Sequence, residues 1–439
     1  VLSGGGASAL AHIGFLQALE QKNIKVHFIA GNSMGALIGS LYATGYPAQY
    51  MRSLFLNDLL RENSQINFND DDSSFWIDFS INYGSEKQEV FFRPLIHGSS
   101  LFYYNIAAIL SYPSYLSRNN FNNLPVKFRC VATELSSKKL KVFREGYLPA
   151  CVFASMAYPG ILYPATINDS LYIDGGVFNN FPADIMCNEF QPDITIGVNT
   201  SDGPVRITSP YNFIDILKAL IISRKEENIP CEKGYIFRPS LQVSLLDFNM
   251  AQEVIDTAYH EALKFLDTIP DLPTMTENDI EKRKTLQNTL IEKMNNIKIT
   301  KTLIEAPNDK YEKFLNKQVP RSTISLSAHK RFFINLMSLP FNTVIFPEFT
   351  LTNDSEAISK LVIKLEKGVR LRFGATFSSL PLIQPFISIE KPTYTFIPIN
   401  SEAILSIGNF AQLLNIKSYS FLLKPTLMKF GVELGLNRY

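Results

Sequence analysis

The spacing of apolar positions changes character along the chain. Val26 to Ala30 form a short apolar run that stops at Gly31, and a small-residue segment of helical character (Gly35, Ala36, Gly39, Ser40, Ala43) begins right after Ser33. Ser33 therefore falls on a strand-to-helix turn. Upstream, Val1-Leu2 reads as the end of a strand, Ser3-Gly4-Gly5-Gly6 as a turn, and Leu10, Ile13, Leu16 and Leu19 as one face of a helix. Strand, glycine turn, helix, strand, serine turn, helix is a βαβ succession, which predicts a parallel sheet covered by helices. Val126 to Ala132 and Leu140 to Phe143 read as further strands. A small apolar helix over Ala150 to Ala157 stops at Tyr158-Pro159-Gly160. A strand at Leu171-Tyr172-Ile173 is closed by Asp174 before Gly175-Gly176, and Ile194 to Val198 gives another.

Two regions depart from this regularity. From about residue 50 to 125 the pattern is irregular, with an acidic patch (Asp70, Asp71, Asp72) and many aromatics: Phe68, Phe75, Trp76, Phe79, Phe91, Phe92, Phe102, Tyr103 and Tyr104. Long irregular segments act as lids or binding walls. These rings fit either the core of a subdomain or an acyl-chain pocket or membrane-facing cap. Beyond about residue 268, a polar stretch from Asp271 to Asn296 has the character of a linker helix. It is followed by a strand (Ile297 to Ile304), two helices (Asp309 to Lys317; Thr323 to Leu339, stopped by Pro340) and two strands (Thr343 to Leu351; Ala357 to Lys367). From 369 to 439 apolar and polar residues alternate, as in Phe430, Val432, Leu434 and Leu436 against Gly431, Glu433, Gly435 and Asn437. That alternation fits an ordinary antiparallel sheet and a membrane barrel equally.

Composition narrows the classes. At 439 residues two or three domains are expected, and 46% hydrophobic with 19% charged residues allows a large core. A net charge of +1 with no basic stripe excludes a nucleic-acid binder. Cys130, Cys151, Cys187 and Cys231 are far apart and show neither a C-x-x-C pair nor metal-ligand spacing, so Cys130 and Cys151 read as small core residues and the redox compartment stays open. No run of 18 apolar residues and no signal peptide are present. The opening on Val1-Leu2-Ser3-Gly4 without a methionine leads us to expect residues upstream.

The chemistry concentrates at three places. Gly31-Asn32-Ser33-Met34-Gly35 is a Gly-x-Ser-x-Gly turn, whose tightness excludes bulky flanking side chains and holds the serine oxygen out at the end of the sheet. Helix-start N–H groups beginning with Met34 favour negative charge in the same space. Gly4-Gly5-Gly6 leaves main-chain N–H groups unshielded beside a helix start, suited to an oxyanion. Asp174, at a strand end before two glycines, reads either as a turn residue or as a partner for Ser33.

Gly-Gly-Gly opening a helix, then G-N-S-M-G, then D-G-G with N-N-F-P behind it, resembles the patatin-like phospholipase family over about residues 1 to 268. The resemblance implies an α/β fold with a parallel-sheet hydrolase domain and a Ser–Asp dyad. Ser33 would be nucleophile and Asp174 base, Gly4, Gly5, Gly6 and Met34 would line the oxyanion hole, and no cofactor or metal would be needed. Family members usually carry a cation and a glycine where this chain has Ser8 and Ala9. The β-α-α-β-β order of 296–368 is similar to a POTRA domain, and 369–439 resembles part of an outer-membrane barrel. The expected division is 1–268 hydrolase, 269–295 linker or helix, 296–368 POTRA-like and 369–439 barrel-like strands. Roughly five strands of about 10 residues fall short of the eight of the smallest barrel. A longer polypeptide or a combination of chains is therefore expected.

Together with the resemblance these features imply a phospholipase A type acyl-ester hydrolase acting on phospholipid or another lipid ester at a bacterial outer membrane, its hydrolase domain periplasmic or surface-exposed, of undetermined oligomeric state. A competing class is a catalytically inactive patatin-fold assembly or binding module. A third reading, a histidine triad, would have to use His260 or His329, the two histidines after Asp174.

Overall fold

The computed structural model describes residues 1–59, 74–82, 89–92, 99–201, 228–339, 342–365, 369–377, 383–394, 399–407, 412–422 and 428–438. The chain divides into two compact units, one made of Val1–Glu62 and Asn105–Asn295, the other of Asn63–Tyr104 and Asn296–Tyr439. Strands of the first two-thirds are β1 (Phe28–Asn32), β2 (Ser74–Asn82), β3 (Glu89–Phe92), β4 (Lys127–Glu134), β5 (Lys139–Phe143), β6 (Ala165–Ile167), β7 (Ser170–Asp174), β8 (Thr195–Val198) and β9 (Gly234–Phe237).

In the first unit the strand order is β1-β4-β7-β6, with β5 also paired to β4, and β8 paired to β9. Leu2 bridges the two sets, lying parallel to both Gly31 and Val198. β1 runs parallel to β4 and β8 to β9, but β7 runs antiparallel to β4. The sheet is thus mixed, not the parallel one expected. The cause is local: β6 and β7 are joined by Asn168-Asp169, both with positive φ (47° and 62°), the backbone of a two-residue hairpin turn. The hairpin reverses the strand that carries Asp174.

The helix Ala11–Gln21 is buried along most of its length and packs on Ala251–Leu266. Gly14 permits this approach, since a Cβ there would meet the Ile255 carbonyl and stand 2.8 Å from the Tyr259 nitrogen. The polar segment expected as a linker belongs to this unit. Its helix, Glu277–Asn296, buries Leu290, pairs Arg283 with Glu20 at 2.7 Å and lays the Arg283 guanidinium over the Tyr42 ring. Too few apolar positions mark that face for composition to reveal it.

The remaining strands are β10 (Lys298–Glu305), β11 (Ile324–Ser325), β12 (Asn342–Asn353), β13 (Glu356–Leu365), β14 (Val369–Phe377), β15 (Ile383–Thr393), β16 (Ile399–Ile407), β17 (Gln412–Leu422) and β18 (Met428–Arg438). A four-stranded sheet in the order β11-β10-β13-β12 accompanies two helices, Asp309–Asn316 and Leu326–Met337. Asn308 and Ser325 cap their N-termini through side-chain oxygens. Ala357, Ser359, Leu361 and Ile363 alternate into the core, as period-two patterning requires.

A seven-stranded antiparallel sheet follows the order β18-β17-β16-β15-β14-β2-β3. Five strands were expected from 369–439, and the other two come from the irregular aromatic region. β2 pairs with β14 from Val369↔Ile81 to Thr376↔Ser74. The expected unbroken hydrolase span of 1–268 is therefore interrupted. A pairing between positions nearly 300 residues apart leaves no local signal in the pattern. The sheet is open, with β18 and β3 at its edges, and no closed barrel exists among the described residues.

Tyr103 and Tyr104 sit on the helix Ser99–Leu116 and are core residues, Tyr103 stacking on Phe346 and Tyr104 against Phe333 and Phe349. Phe102 lies on the same helix. Phe75, Trp76 and Phe79 fall on β2, and Phe91 and Phe92 on β3. Phe68, Asp70, Asp71, Asp72, Pro340 and Tyr439 lie outside the described residues.

His329 is fully buried beside Tyr104, with Nδ1 2.9 Å from its hydroxyl and Nε2 without a partner. Burial pushes its pKa down from 6.5 to about 4. The folded state thus binds this proton more weakly than the unfolded chain, so stability is complete above pH 6.5 and is lost as pH falls toward 4. We expect a loss of about 2–4 kcal/mol from this group across that window. His329→Leu should flatten the pH dependence of urea unfolding between pH 6.5 and 4, and an unchanged slope would contradict the assignment.

Candidate active site

Ser33 occupies the turn between β1 and the helix Met34–Thr44 with φ 53° and ψ −128°. This is a strained conformation for a residue with a side chain and costs on the order of 1–3 kcal/mol. The helix holds it there, for the Ser33 carbonyl accepts the N–H groups of Ala36 and Leu37 at 2.9 and 3.1 Å. The two flanking glycines are needed for space. A Cβ on Gly31 would lie 2.6 Å from the Gly35 carbonyl oxygen, and one on Gly35 would lie 2.5 Å from the Leu2 oxygen.

Across the sheet, β4 stands between β1 and β7. Asn32 is level with Val131 and Asp174 with Ala132, so Ser33 and Asp174 flank the same position of β4. With about 4.8 Å between neighbouring strands, their main chains are about 10 Å apart. Two inward side chains close that gap.

Asp174 is buried. Its Oδ1 accepts from Asn32 Nδ2 at 3.0 Å and from the Gly176 N–H at 2.8 Å, while Oδ2 has no hydrogen-bond partner. Burial raises the carboxyl pKa above its ordinary value, and the Ser33 hydroxyl, Gly176 and Asn32 act against that rise. The Ser33 hydroxyl is thus near enough to this carboxyl to favour its charged form. Oδ2 keeps its capacity to accept a proton.

Gly4, the first of the three glycines, donates its N–H to the Asn180 carbonyl at 3.1 Å. Its amide is already engaged, so of the four expected donors Gly4 is not available to an oxyanion. Gly4 contributes space instead: a Cβ there would lie 3.0 Å from Ser33 Cβ. Ser8, where a cation was expected from the resemblance, is buried and donates to the Gly5 and Thr200 carbonyls at 2.8 Å each. That position presents no charge.

Three side chains that sequence reasoning left without a role assemble this geometry. Asn32 joins Asp174 to Asn180, donating to Asn180 Oδ1 at 3.1 Å. Asn180 reaches back to the Gly4 carbonyl at 3.4 Å, tying the aspartate loop to the glycine turn. Ser155, on the helix Leu148–Met156, accepts the Ser33 N–H at 3.0 Å and lies 3.5 Å from Asn32 Oδ1. Asn32 and Asn180 stood inside recognised motifs, but Ser155 carried no signal beyond its small size.

Among the described histidines none is bonded to Ser33 or Asp174. His12 is buried against the Ser3 carbonyl at 2.8 Å, and burial lowers its pKa to about 4. His27 and His260 are exposed, the latter on the helix Ala251–Leu266. His329 belongs to the other compact unit, and His97 lies outside the described residues.

An α/β domain with a serine at a strand–helix elbow and a buried carboxylate two strands away is a recognisable class of site. Residues 1–186 match the family model described as patatin-like phospholipase. A Caenorhabditis elegans patatin-like phospholipase domain-containing protein is 28% identical over 230 residues, covering 52% of this chain and 15% of that one. An uncharacterized NTE family protein of Mycobacterium tuberculosis is 28% identical over 231 residues, covering 51% of this chain and 55% of its own. A lysophospholipase (NTE1) of Yarrowia lipolytica is 26% identical over 232 residues, covering 49% and 13%. The chain thus spans between 13% and 55% of the length of these relatives. Among solved structures, the type III effector protein ExoU aligns over 77% of this chain and 69% of its own, at 13% identity and a TM-score of 0.29. A likeness that low carries no argument.

The buried carboxylate gives a direct test. Because burial raises the Asp174 pKa, its ionised form weighs against the folded state at neutral pH, and stability from this group falls as pH rises above the ordinary carboxylate range. Asp174→Asn keeps the acceptor for Asn32 and Gly176 and removes the charge. It is expected to raise folding stability by on the order of 1 kcal/mol at pH 7, read by denaturant unfolding. A marked loss of stability would show that the carboxylate is instead held by a structural partner.

Proposed function

We propose that this chain hydrolyses acyl esters of lipids, phospholipids foremost, through a Ser33–Asp174 dyad. The observation that carries the reading is the unpartnered, buried Oδ2 of Asp174 on the strand position facing Ser33. Asp174 takes the Ser33 proton as the serine oxygen attacks the ester carbonyl. The Gly5, Gly6 and Met34 amides stabilise the oxyanion, and the leaving alcohol departs with the proton from Asp174. Water then attacks the acyl-enzyme and Asp174 serves as base again. The lysophospholipase name of the yeast relative is consistent with this substrate class.

Ser33→Ala is expected to lose on the order of 10³-fold or more in kcat, and His260→Ala less than about threefold. A fluorophosphonate probe should label Ser33 in the unmodified chain only. With no cation at Ser8, zwitterionic phospholipids should be cleaved at least as well as acidic ones. Equal damage from His260→Ala in a folded protein would sink the dyad, and a more than tenfold preference for acidic lipids would show that another cation serves the head group.

The second unit supports a membrane setting. On the seven-stranded sheet Ile387, Leu405, Leu414 and Leu436 lie side by side in register, as do Ile416 and Leu434, and all are exposed. Val432, Leu434 and Leu436 are 67–71% exposed, whereas Ser388, Glu390, Asn400 and Ser406 are buried. Apolar outside and polar inside is the reverse of a water-facing sheet and matches strands that meet lipid. A Cys187–Cys231 disulfide, with Cα atoms 5.3 Å apart, suits an oxidising compartment such as a bacterial periplasm. We therefore assign the sheet to an outer membrane, with residues 296–368 as a POTRA-like connection. The chain should float with liposomes in a density gradient and resist carbonate extraction. Recovery as a monodisperse protein without detergent would remove the membrane assignment and leave the hydrolase intact.

A further inference from the structure

Tyr158 stands where two chain segments meet the proposed dyad. Ser155 holds the Ser33 N–H, and two residues on, the Ala157 carbonyl accepts the Asp174 N–H at 3.0 Å. Tyr158 follows at once and is fixed on both sides. Its N–H reaches the Met156 carbonyl at 2.6 Å, and its carbonyl accepts Ile161 and Leu162 at 3.0 Å each. Its hydroxyl oxygen is buried and has no hydrogen-bond partner, and the same holds for Asp174 Oδ2. A buried polar atom without a partner costs about 1–3 kcal/mol, so two in one site call for a reason. The Asp174 charge reaches the Tyr158 hydroxyl and, after burial, is the further cause that keeps it protonated.

We propose that Tyr158 is a positioning residue for the base, its hydroxyl donating to Asp174 Oδ2 through one bridging water and thereby holding the carboxylate ionised between turnovers. This rests on the dyad reading above. The tyrosine keeps its proton throughout: the proton leaving Ser33 passes to Asp174 and then to the departing alcohol, and Tyr158 transfers none. Its part is to favour the charged form of a carboxylate that burial disfavours.

Tyr158→Phe keeps the ring and removes the donor. The acidic limb of kcat/KM should move upward by about one pH unit, while the plateau above it changes less than about threefold. Replacement of Tyr158 by 3-fluorotyrosine, a stronger donor of nearly the same size, should move the limb the opposite way, and it covers the case in which the phenylalanine variant does not fold. A limb that stays in place in either folded variant overturns the proposal. A stability cycle gives a readout independent of turnover, since Tyr158→Phe should have a different effect in the native and Asp174→Asn backgrounds. Equal effects overturn the coupling. If Ser33→Ala and Asp174→Asn retain activity, it is the dyad reading that fails, and the limb carries no meaning for Tyr158.

Discussion

The hydrogen bond from Asn32 to Asp174, made out of water, is the contact on which the site depends. A buried carboxylate is unfavourable unless it is bonded, and here the bonds are placed on one oxygen only. Asn32 carries the consequence outward, because its amide also reaches Asn180, and Asn180 holds the glycine turn. One asparagine side chain thus links the serine elbow, the Asp174 carboxylate and the glycine turn. Each lies on a different strand connection, and none could hold that geometry by local structure alone.

Strain at Ser33 belongs to the same scheme. A left-handed backbone at a serine persists only where its surroundings over-determine it. Here the helix N–H bonds to its carbonyl, the Ser155 bond to its N–H and the close main-chain contacts of Gly31 and Gly35 do so together. The result is an oxygen presented at the sheet end without a side chain crowding it. The small helix at 148–156 serves as the scaffold for both members of the pair, through Ser155 on one side and Ala157 on the other.

The second unit obeys a different solvation rule. Its four-stranded sheet buries alternate apolar residues, whereas its seven-stranded sheet exposes Leu414, Ile416, Leu434 and Leu436 and withdraws Glu390 and Asn400, which bond to one another. In water such a sheet would expose apolar surface without compensation, and in hydrocarbon its side-chain arrangement is favourable once the edges at β18 and β3 are paired. Both faces follow from one period-two pattern, and the choice between them depends on what surrounds the sheet.

Much of the first unit was legible in the chain itself. The Gly-x-Ser-x-Gly turn, the glycine turn and the Asp-Gly-Gly strand end are short, and their backbone demands are local, so residue type alone locates them. Strand and helix positions between 297 and 367 were legible from their periodicity, to within two or three residues at each end, although the short strand β11 was read as the start of a helix. Tertiary structure decided the rest. The hairpin at Asn168-Asp169 reversed β7, the polar helix at 277–296 docked through Arg283, and β2 joined β14 across nearly 300 residues. Likewise Gly4 lost its free amide to Asn180, and Ser155, Asn32 and Asn180 became the supports of the site. Those outcomes rest on pairings between distant residues, whose energies depend on which groups meet and what solvent they leave. A linear pattern records what each residue can do, and only the folded chain determines which partner it does it with.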